Sequence, residues 1–596
     1  MTFAAIQLLT GLAGSATLFL IAAGLTVIFG VTRIVNFAHG SLFMLGAYLG
    51  WSILARLPHT PVCFALGVLA AALAVAAIGA LLETAVLRHL YAAPPLLQLL
   101  ATFGVMLIIH DATLFAWGPD DLPLPRPPWL RAWVPVLGER FPRYDLVLIA
   151  IGPLVLGALL LLLGRSRFGV LIRACTENRS IAAALGIDQR RLSTAIFALG
   201  AGLAGLGGAL VLPDASANLG MDLSIIVEAF VVVVVGGLGS IAGAFLASLL
   251  IGLLQAFGLV LLPQATLVLV FVIMAAVLTV RPQGLLGSAQ PEAGRRPVPL
   301  RRIAPAWGWA GLLLAAGAPF WLPAYPLAIL TEVLVAALFA AALHLLVGPG
   351  GMISFGHAAW FAIGAYAAGL ATRGLAAPMP AALLLAPVAA GLAAAAFGTF
   401  VVRLSGIYLA MLTLAFAQIV WAVAKQWLSV TGGDDGILGV WPSGPVPFYW
   451  WALGLSAGGI WLLQRCVDAP FGLALIAVRD SERRARTVGL DPERLRMAAF
   501  TLSGAAAGLA GGLGAFRTGS VFPAVADVGR SVDGLLMVLL GGVDAVAGPV
   551  IGALVYTSLY DWLLLAIPFW RLALGIAILA LVLAFPGGLA GTRRQA

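Results

Sequence analysis

The residues able to do chemistry in this 596-residue chain are few, and most of them come in matched pairs. His39 follows Asn36 in GVTRIVNFAHGSLFMLGAY (Gly30 to Tyr48), and His357 follows Ser354 in GPGGMISFGHAAWFAIGAY (Gly348 to Tyr366), each matched pair 318 positions apart. Two acids, Glu228 and Asp533, stand 305 apart beside Val-rich and Leu-rich runs. A third set lies in two polar stretches: Arg173, Glu177, Gly186 and Asp188 in the first, and Arg479, Asp480, Arg483, Arg484, Gly489 and Asp491 in the second. An imidazole beside an amide or hydroxyl can touch a passing solute or pin a neighbouring helix, and both uses stay open for His39 and His357. A carboxylate in an apolar run can attract an ammonium group or accept a hydrogen bond near an interface, so Glu228 and Asp533 carry two readings as well. No catalytic set is expected, because the six His and dispersed acids offer no nucleophile with base and orienter. No metal site is expected either, and Cys63, Cys175 and Cys466 are too scattered for a disulfide framework.

The elements that must position these groups are set by composition. Hydrophobic residues make up 62% of the chain and charged ones 10%, with mean hydropathy +1.07, against about 25% charged in soluble domains. A spanning helix needs about 20 mainly apolar residues, and such segments recur nearly end to end. The net charge of +9 does not point to nucleic acid, because its arginines sit in short breaks between apolar spans. Residues 1–32 carry no charge, so the N-terminus is expected to be a retained first span rather than a cleaved signal. Nine spans are expected before residue 281, among them 34–54 and 223–241, and ten after 304, among them 350–372 and 531–546. An orientation with the N-terminus outside and the C-terminus in the cytoplasm places 23 of the 33 Lys and Arg inside. The expected fold is therefore an all-α polytopic membrane protein, with about 18–19 transmembrane helices in two parallel, pseudo-twofold-related repeats.

The duplication runs well past the histidine blocks. SRFGVLIRACTENRSIAAALGIDQRRLSTAIFALGAGLAGLGGAL from Ser166 aligns at offset 303 with APFGLALIAVRDSERRARTVGLDPERLRMAAFTLSGAAAGLAGGL from Ala469. EAFVVVVVGGLGSIAGAF from Glu228 aligns at offset 305 with DGLLMVLLGGVDAVAGPV, and the halves end alike in RPQGLLG and FPGGLAG. Between them lies a Pro/Gly/Arg-rich linker at 281–304. Segments 165–191 and 465–496 each open on an FG pair, pass an acid, reach Gly and then Asp with a basic turn. Each reads as a short cytoplasmic helix ending at Gly, a plug shaped for a socket on another protein. Gly200 to Gly208 and Ser503 to Gly514 read as helix-packing runs, and TGGDDG at 431–436 as a turn near the outer mouth.

The NFAHGSLFMLGAY/SFGHAAWFAIGAY block, the two cytoplasmic loops, GGLGSIAGA/GGVDAVAGP, GIYLAMLTLAFAQ and TGGDDG together resemble the permeases of branched-chain amino acid ABC importers. Residues 1–280 are similar to the smaller permease of the pair and 305–596, with one extra N-terminal span, to the larger, so the chain resembles a fusion of both. The resemblance implies a bacterial inner-membrane location, amino-acid import by alternating access, two cytoplasmic ABC ATPase subunits and an extracytoplasmic solute-binding protein. It also implies that the loops around Glu177 to Asp188 and Asp480 to Asp491 are coupling helices seated on the ATPases, although half two has Asp480 where half one has Glu177. The single lysine, Lys425, is followed by Gln426, so no P-loop is present; no cofactor is expected on this chain, and ATP is expected to be used by the partners. Two rivals remain at this point: an importer of urea, short amides or other small solutes, and an ion-coupled secondary carrier.

Overall fold

The computed structural model describes residues 2–91, 93–136, 138–287, 305–585 and 587–590. Most of the expected linker at 281–304 therefore lies outside the described residues. The first half consists of α1 (Thr2–Thr32), α2 (Ala38–Leu54), α3 (Pro61–Ala85), α4 (Pro95–Trp117), α5 (Arg143–Arg165), α6 (Arg167–Glu177), α7 (Arg179–Ala184), α8 (Gln189–Val211), α9 (Met221–Gly236), α10 (Ile241–Leu261) and α11 (Thr266–Val280). The second consists of α12 (Pro305–Gly317), α13 (Ala324–Val347), α14 (His357–Gly374), α15 (Met379–Val401), α16 (Gly406–Gln426), α17 (Leu428–Thr431), α18 (Pro445–Asp468), α19 (Pro470–Asp480), α20 (Glu482–Thr487), α21 (Pro492–Thr518), α22 (Val528–Gly541), α23 (Gly548–Ala566) and α24 (Trp570–Ala584). The only strands among the described residues are short: β1 (Trp133–Val136) pairs antiparallel with β2 (Glu139–Pro142), and β3 (Ile437–Leu438) with β4 (Ser520–Val521).

All nineteen expected spans are matched by helices, and among the described residues thirteen of these are long and apolar enough to cross a membrane. For α2, α14, α9 and α22 the difference has a local cause. The expected helix at 34–54 starts only at Ala38, and the one at 350–372 only at His357, because a largely buried non-helical stretch precedes each. Arg33 takes φ +56° and Gly351 φ +64°, turning the chain out of the preceding helix at equivalent points. Backbone that is not helical at membrane depth needs partners, and the same hydrogen bond supplies one in both halves. The Phe37 N–H donates to Thr102 Oγ1 at 3.3 Å and the Phe355 N–H to Thr413 Oγ1 at 3.1 Å.

The segments expected at 223–241 and 531–546 are shortened at their other ends. α9 has 16 residues and α22 has 14, about 24 and 21 Å at 1.5 Å per residue, short of a hydrocarbon core of about 30 Å. Each stops at paired glycines, with φ +103° at Gly237 and +110° at Gly542. The orphan carbonyls are then capped by the motifs that end each half. The Leu285 and Leu286 N–H groups donate to the carbonyls of Val235 and Gly236 at 2.8 and 3.0 Å, and those of Leu589 and Ala590 to Leu540 and Gly541 at 2.8 and 3.0 Å. RPQGLLG and FPGGLAG are thus C-caps for distant buried helices, which explains why both persist.

Helices in lipid gain little from burying apolar surface against one another, so close packing has to hold them. Glycines do this at matched places. A Cβ on Gly208 of α8 would lie 2.0 Å from the Phe43 carbonyl oxygen of α2, and one on Gly511 of α21 would lie 1.9 Å from that of Phe361 in α14. Gly46 meets Gly205 and Gly364 meets Gly508 in the same crossings. The chain divides into two compact units, Met1–Ala289 with Phe569–Ala580, and Gln290–Pro568 with Leu581–Ala596.

These crossings generate a test. Gly208→Ala and Gly511→Ala should each lower stability by about 1–3 kcal/mol, the usual cost of overpacking, read as a drop in melting temperature in detergent. Gly157→Ala, where no heavy atom lies within 4 Å of an added Cβ, should leave it unchanged.

Candidate functional site

The two polar loops are built to one plan. In the first half Gly169 lies so close to the Leu163 carbonyl that a Cβ would come within 2.0 Å of the oxygen, and Gly472 stands in the same relation to Val467 at 2.1 Å. The FG pairs are therefore the tight corners by which α5 turns into α6 and α18 into α19. Asn178 then caps α7 through Oδ1 and the Ile181 N–H at 3.1 Å, and Ser481 caps α20 through Oγ and the Arg484 N–H at 3.4 Å. Gly186 (φ +82°) and Gly489 (φ +85°) end these short helices. Asp188 accepts from the N–H groups of Arg190 and Arg191, both at 3.1 Å, and Asp491 from those of Glu493 and Arg494 at 3.1 and 3.3 Å, so each aspartate starts the next long helix. Arg191 and Arg494 close the same ion pairs, at 3.1 and 3.0 Å.

The loops differ in what braces them. Arg173 donates to the carbonyl of Leu163 and, at 3.5 Å, to that of Gly164, tying α6 to the end of α5. Glu177 is exposed, and no ion pair engages it among the described residues. Its counterpart Asp480 pairs with Arg479 at 2.9 Å, and Arg479 also donates to the Gly348 carbonyl at 3.0 Å. The second loop therefore grips the GPGG turn that opens the histidine block. Glu482 holds Arg486 at 2.9 Å and Arg496 at 2.8 Å. Partial burial works upward on its carboxyl, yet those two guanidinium groups hold it below the usual carboxylate range. Arg483 and Arg484 are exposed at the tip. Two apolar residues that sequence reasoning passed over stand at equivalent places, one in each loop: Leu185 and its counterpart Val488 are each 75% exposed beside the terminating glycines. A hydrophobic residue before Gly in a polar loop was the available signal.

The histidines sit deep inside their own halves. His39 is fully buried, its Nε2 3.0 Å from the Ile21 carbonyl of α1. His357 is fully buried too, its Nε2 3.5 Å from Ser503 Oγ, which donates to the Ala342 carbonyl at 2.6 Å, and its ring 5.3 Å from that of Phe339. Asn36 Oδ1 accepts from the Ala38 N–H at 3.1 Å two residues on, in a local turn before α2, while Ser354 is buried in the matching non-helical stretch. Glu228 lies on the third turn of α9 and Asp533 on the second turn of α22, where it accepts from the Tyr556 hydroxyl at 2.6 Å. Each histidine block thus forms a packed polar centre with its neighbouring helices, and each acid belongs to a short interior helix.

Two buried networks escaped the sequence reading. Glu83, fully buried, accepts from Arg88 at 3.1 Å, Tyr91 at 3.0 Å and Thr194 at 2.6 Å. His110 Nδ1 lies 3.0 Å from Asp222 Oδ2, and Arg571 donates to His110 Nε2, an arrangement that fits Nδ1–H donating to the carboxylate. Asp111 Oδ2 accepts from the Leu572 N–H at 2.8 Å. A lone acid near the end of one apolar run and an adjacent His-Asp pair inside another were visible, but not the partners more than a hundred residues away.

Residues 7–278 and 325–585 each match one and the same protein family, described as the permease component of the branched-chain amino acid transport system. The high-affinity branched-chain amino acid transport permease BraD of Pseudomonas aeruginosa is 30% identical over 299 residues, 48% of this chain and 96% of that protein. LivH of Escherichia coli K12 is 29% identical over 303 residues, covering 48% and 96%. LivM of the same strain is 31% identical over 274 residues, 41% of this chain and 64% of its own length. The family occurs twice in one polypeptide, once in each half of a multi-pass, nearly all-helical membrane protein, and the chain belongs to the permease components of branched-chain amino acid transport systems.

Proposed function

We propose that this chain supplies both permease halves of an ABC importer, moving branched-chain amino acids into the cytoplasm of a bacterium across its inner membrane. The observation that carries this is the doubled loop: two structures with the same corner, cap, terminating glycine and helix-starting aspartate, each presenting an exposed apolar residue. One polypeptide with two such plugs suits two ATPase subunits. The 1–280 half takes the role of the smaller permease and 305–596 that of the larger. Both loops face the cytoplasm, with the N-terminus outside and the C-terminus inside, in keeping with the arginine distribution. ATP is bound and hydrolysed by the partners, since a P-loop requires a lysine followed by Ser or Thr and Lys425 is followed by Gln426. An extracytoplasmic binding protein delivers the substrate.

Closure of the ATPases pushes on both loops and shifts the helices between outward-open and inward-open packings, a population shift between two arrangements. In the second half the push has a direct route, from Asp480 through Arg479 to the Gly348 carbonyl and so to the turn before His357. In the first half it passes through the Arg173 bonds into the end of α5. The histidine blocks, with Asn36 and Ser354, act as the pivots about which α2 and α14 move, and Glu228 and Asp533 supply the polar character of the path.

Two experiments test this. Proteoliposomes holding the permease, its ATPases and its binding protein should take up leucine, isoleucine and valine only with ATP inside, while urea and ribose stay at background. Equal urea uptake, or leucine uptake without ATP, would overturn the assignment. Reversing Arg483 and Arg484 to Glu should cut the ATPase recovered with the permease by about tenfold at an unchanged melting temperature, and undiminished recovery would remove the second loop from the contact.

A further inference from the structure

We infer that the cleft between the C-terminal end of α3 and the N-terminal end of α8 binds the phosphate-bearing headgroup of an anionic membrane lipid. The cleft is open and encloses about 500 Å³, with Arg88, Arg190, Arg191 and Thr194 on its polar wall and Ala195 and Ala198 on its apolar one. It lies where two long apolar helices end, because α3 and α8 meet along a small-residue seam, Gly79 against Ala201 and Gly205 against Val75. A headgroup bound there would lie at the edge of the hydrocarbon layer. On α3 itself Leu66, Leu69, Leu73 and Leu81 point outward, 53–70% exposed, and give acyl chains an apolar surface on the same helix.

The charge is arranged to be shared. Arg88 spends one nitrogen, Nη2, on both Glu83 at 3.1 Å and Thr194 at 2.8 Å, while its Nε is buried without a partner among the described residues. Arg190 and Arg191 are exposed on the first turn of α8, whose N–H groups are already capped by Asp188, so it is their guanidinium groups that supply the positive charge. Arg179 stands nearby, its guanidinium 5.3 Å over the ring of Tyr91, whose hydroxyl donates to Glu83. Against these four cations stand Glu83, already committed to its three donors, and Asp188, which also lines the cleft and is held by Arg191 at 3.1 Å. The balance favours an anion, and basic clefts between spans are where acidic headgroups bind.

The second half supplies an internal control. Packing sets α3 against α15 at an offset of 315, Val75 on Gly205 as Ala390 on Gly508, and α8 against α21 at 303, so Gly398 stands for Glu83, Met497 for Thr194, Glu493 for Arg190 and Glu482 for Arg179. Met497 packs onto Gly398, a Cβ there lying 2.7 Å from its sulfur, and Arg403, the counterpart of Arg88, reaches Glu493 at 4.0 Å. That place is self-neutralised and has lost the polar anchor. The surplus is thus a property of the first half and not of helix-end arginines in general. The inference requires only that the chain spans a membrane, so it stands or falls separately from the transported solute and the ATPases.

The test is lipid retention. The full-length permease is placed in nanodiscs of phosphatidylcholine with phosphatidylglycerol, extracted, and its bound phosphatidylglycerol counted by native mass spectrometry. The double variant Arg190→Gln, Arg191→Gln should retain about tenfold less, while Arg403→Gln with Arg494→Gln should retain as much as the unaltered chain. Both sets change exposed side chains, and an unchanged melting temperature in phosphatidylcholine alone confirms folding. Undiminished retention in the first variant, or an equal loss in the second, would overturn the inference. If inorganic phosphate in phosphatidylcholine discs raises the melting temperature as much as phosphatidylglycerol does, the ligand is a free phosphate and the lipid assignment fails.

Discussion

Backbone-to-backbone approach at the α2/α8 and α14/α21 crossings is the constraint on which each half depends. In a bilayer no hydrophobic force draws helices together, so contact must come from shape. At these crossings glycine carbonyls and α-carbons of facing helices touch, and any side chain at Gly208 or Gly511 would occupy the place of a carbonyl oxygen. Because α8 and α21 are also the helices that Asp188 and Asp491 start, the crossing and the loop are two ends of one rigid rod.

The same economy appears in the interior polar groups. Each half contains non-helical backbone and a short helix ending at depth, and each such feature is matched by a named partner. Thr102 and Thr413 hold the non-helical stretches, and Leu285 with Leu286 and Leu589 with Ala590 cap α9 and α22. Unsatisfied main-chain groups are costly in lipid, so these pairings fix where the chain can bend. The two halves also depart from one another in charge. Arg479 and Glu482 brace the second loop, while the first half keeps Glu83, Thr194 and a surplus of arginine.

Much of this was legible in the residues. The 318-residue repeat marked the histidine blocks, apolar run length marked nineteen of the helices, and Gly186 and Gly489 marked the loop ends. What run length did not reveal was how short four of those helices are, α2, α9, α14 and α22, at 17, 16, 18 and 14 residues. Hydropathy registers apolar side chains and is blind to a break such as Ile34 to Phe37, whose residues are as apolar as a helix but whose backbone bonds elsewhere. The end motifs matched in sequence, yet their use as caps depends on carbonyls some fifty residues upstream, a relation no local pattern contains. The Glu83 and His110 networks stayed hidden for the same reason. Their acids and bases could be seen singly in apolar runs, while Thr194 and Asp222 become partners only once α8 and α9 fold back.

The central claim is that one chain supplies both permease halves and therefore both ATPase seats. Native mass spectrometry of the assembled complex tests it most directly. The account predicts one 61.4 kDa permease chain carrying two ATPase subunits. A complex built on two copies of this chain, or one holding a single ATPase at saturating partner concentration, would contradict it.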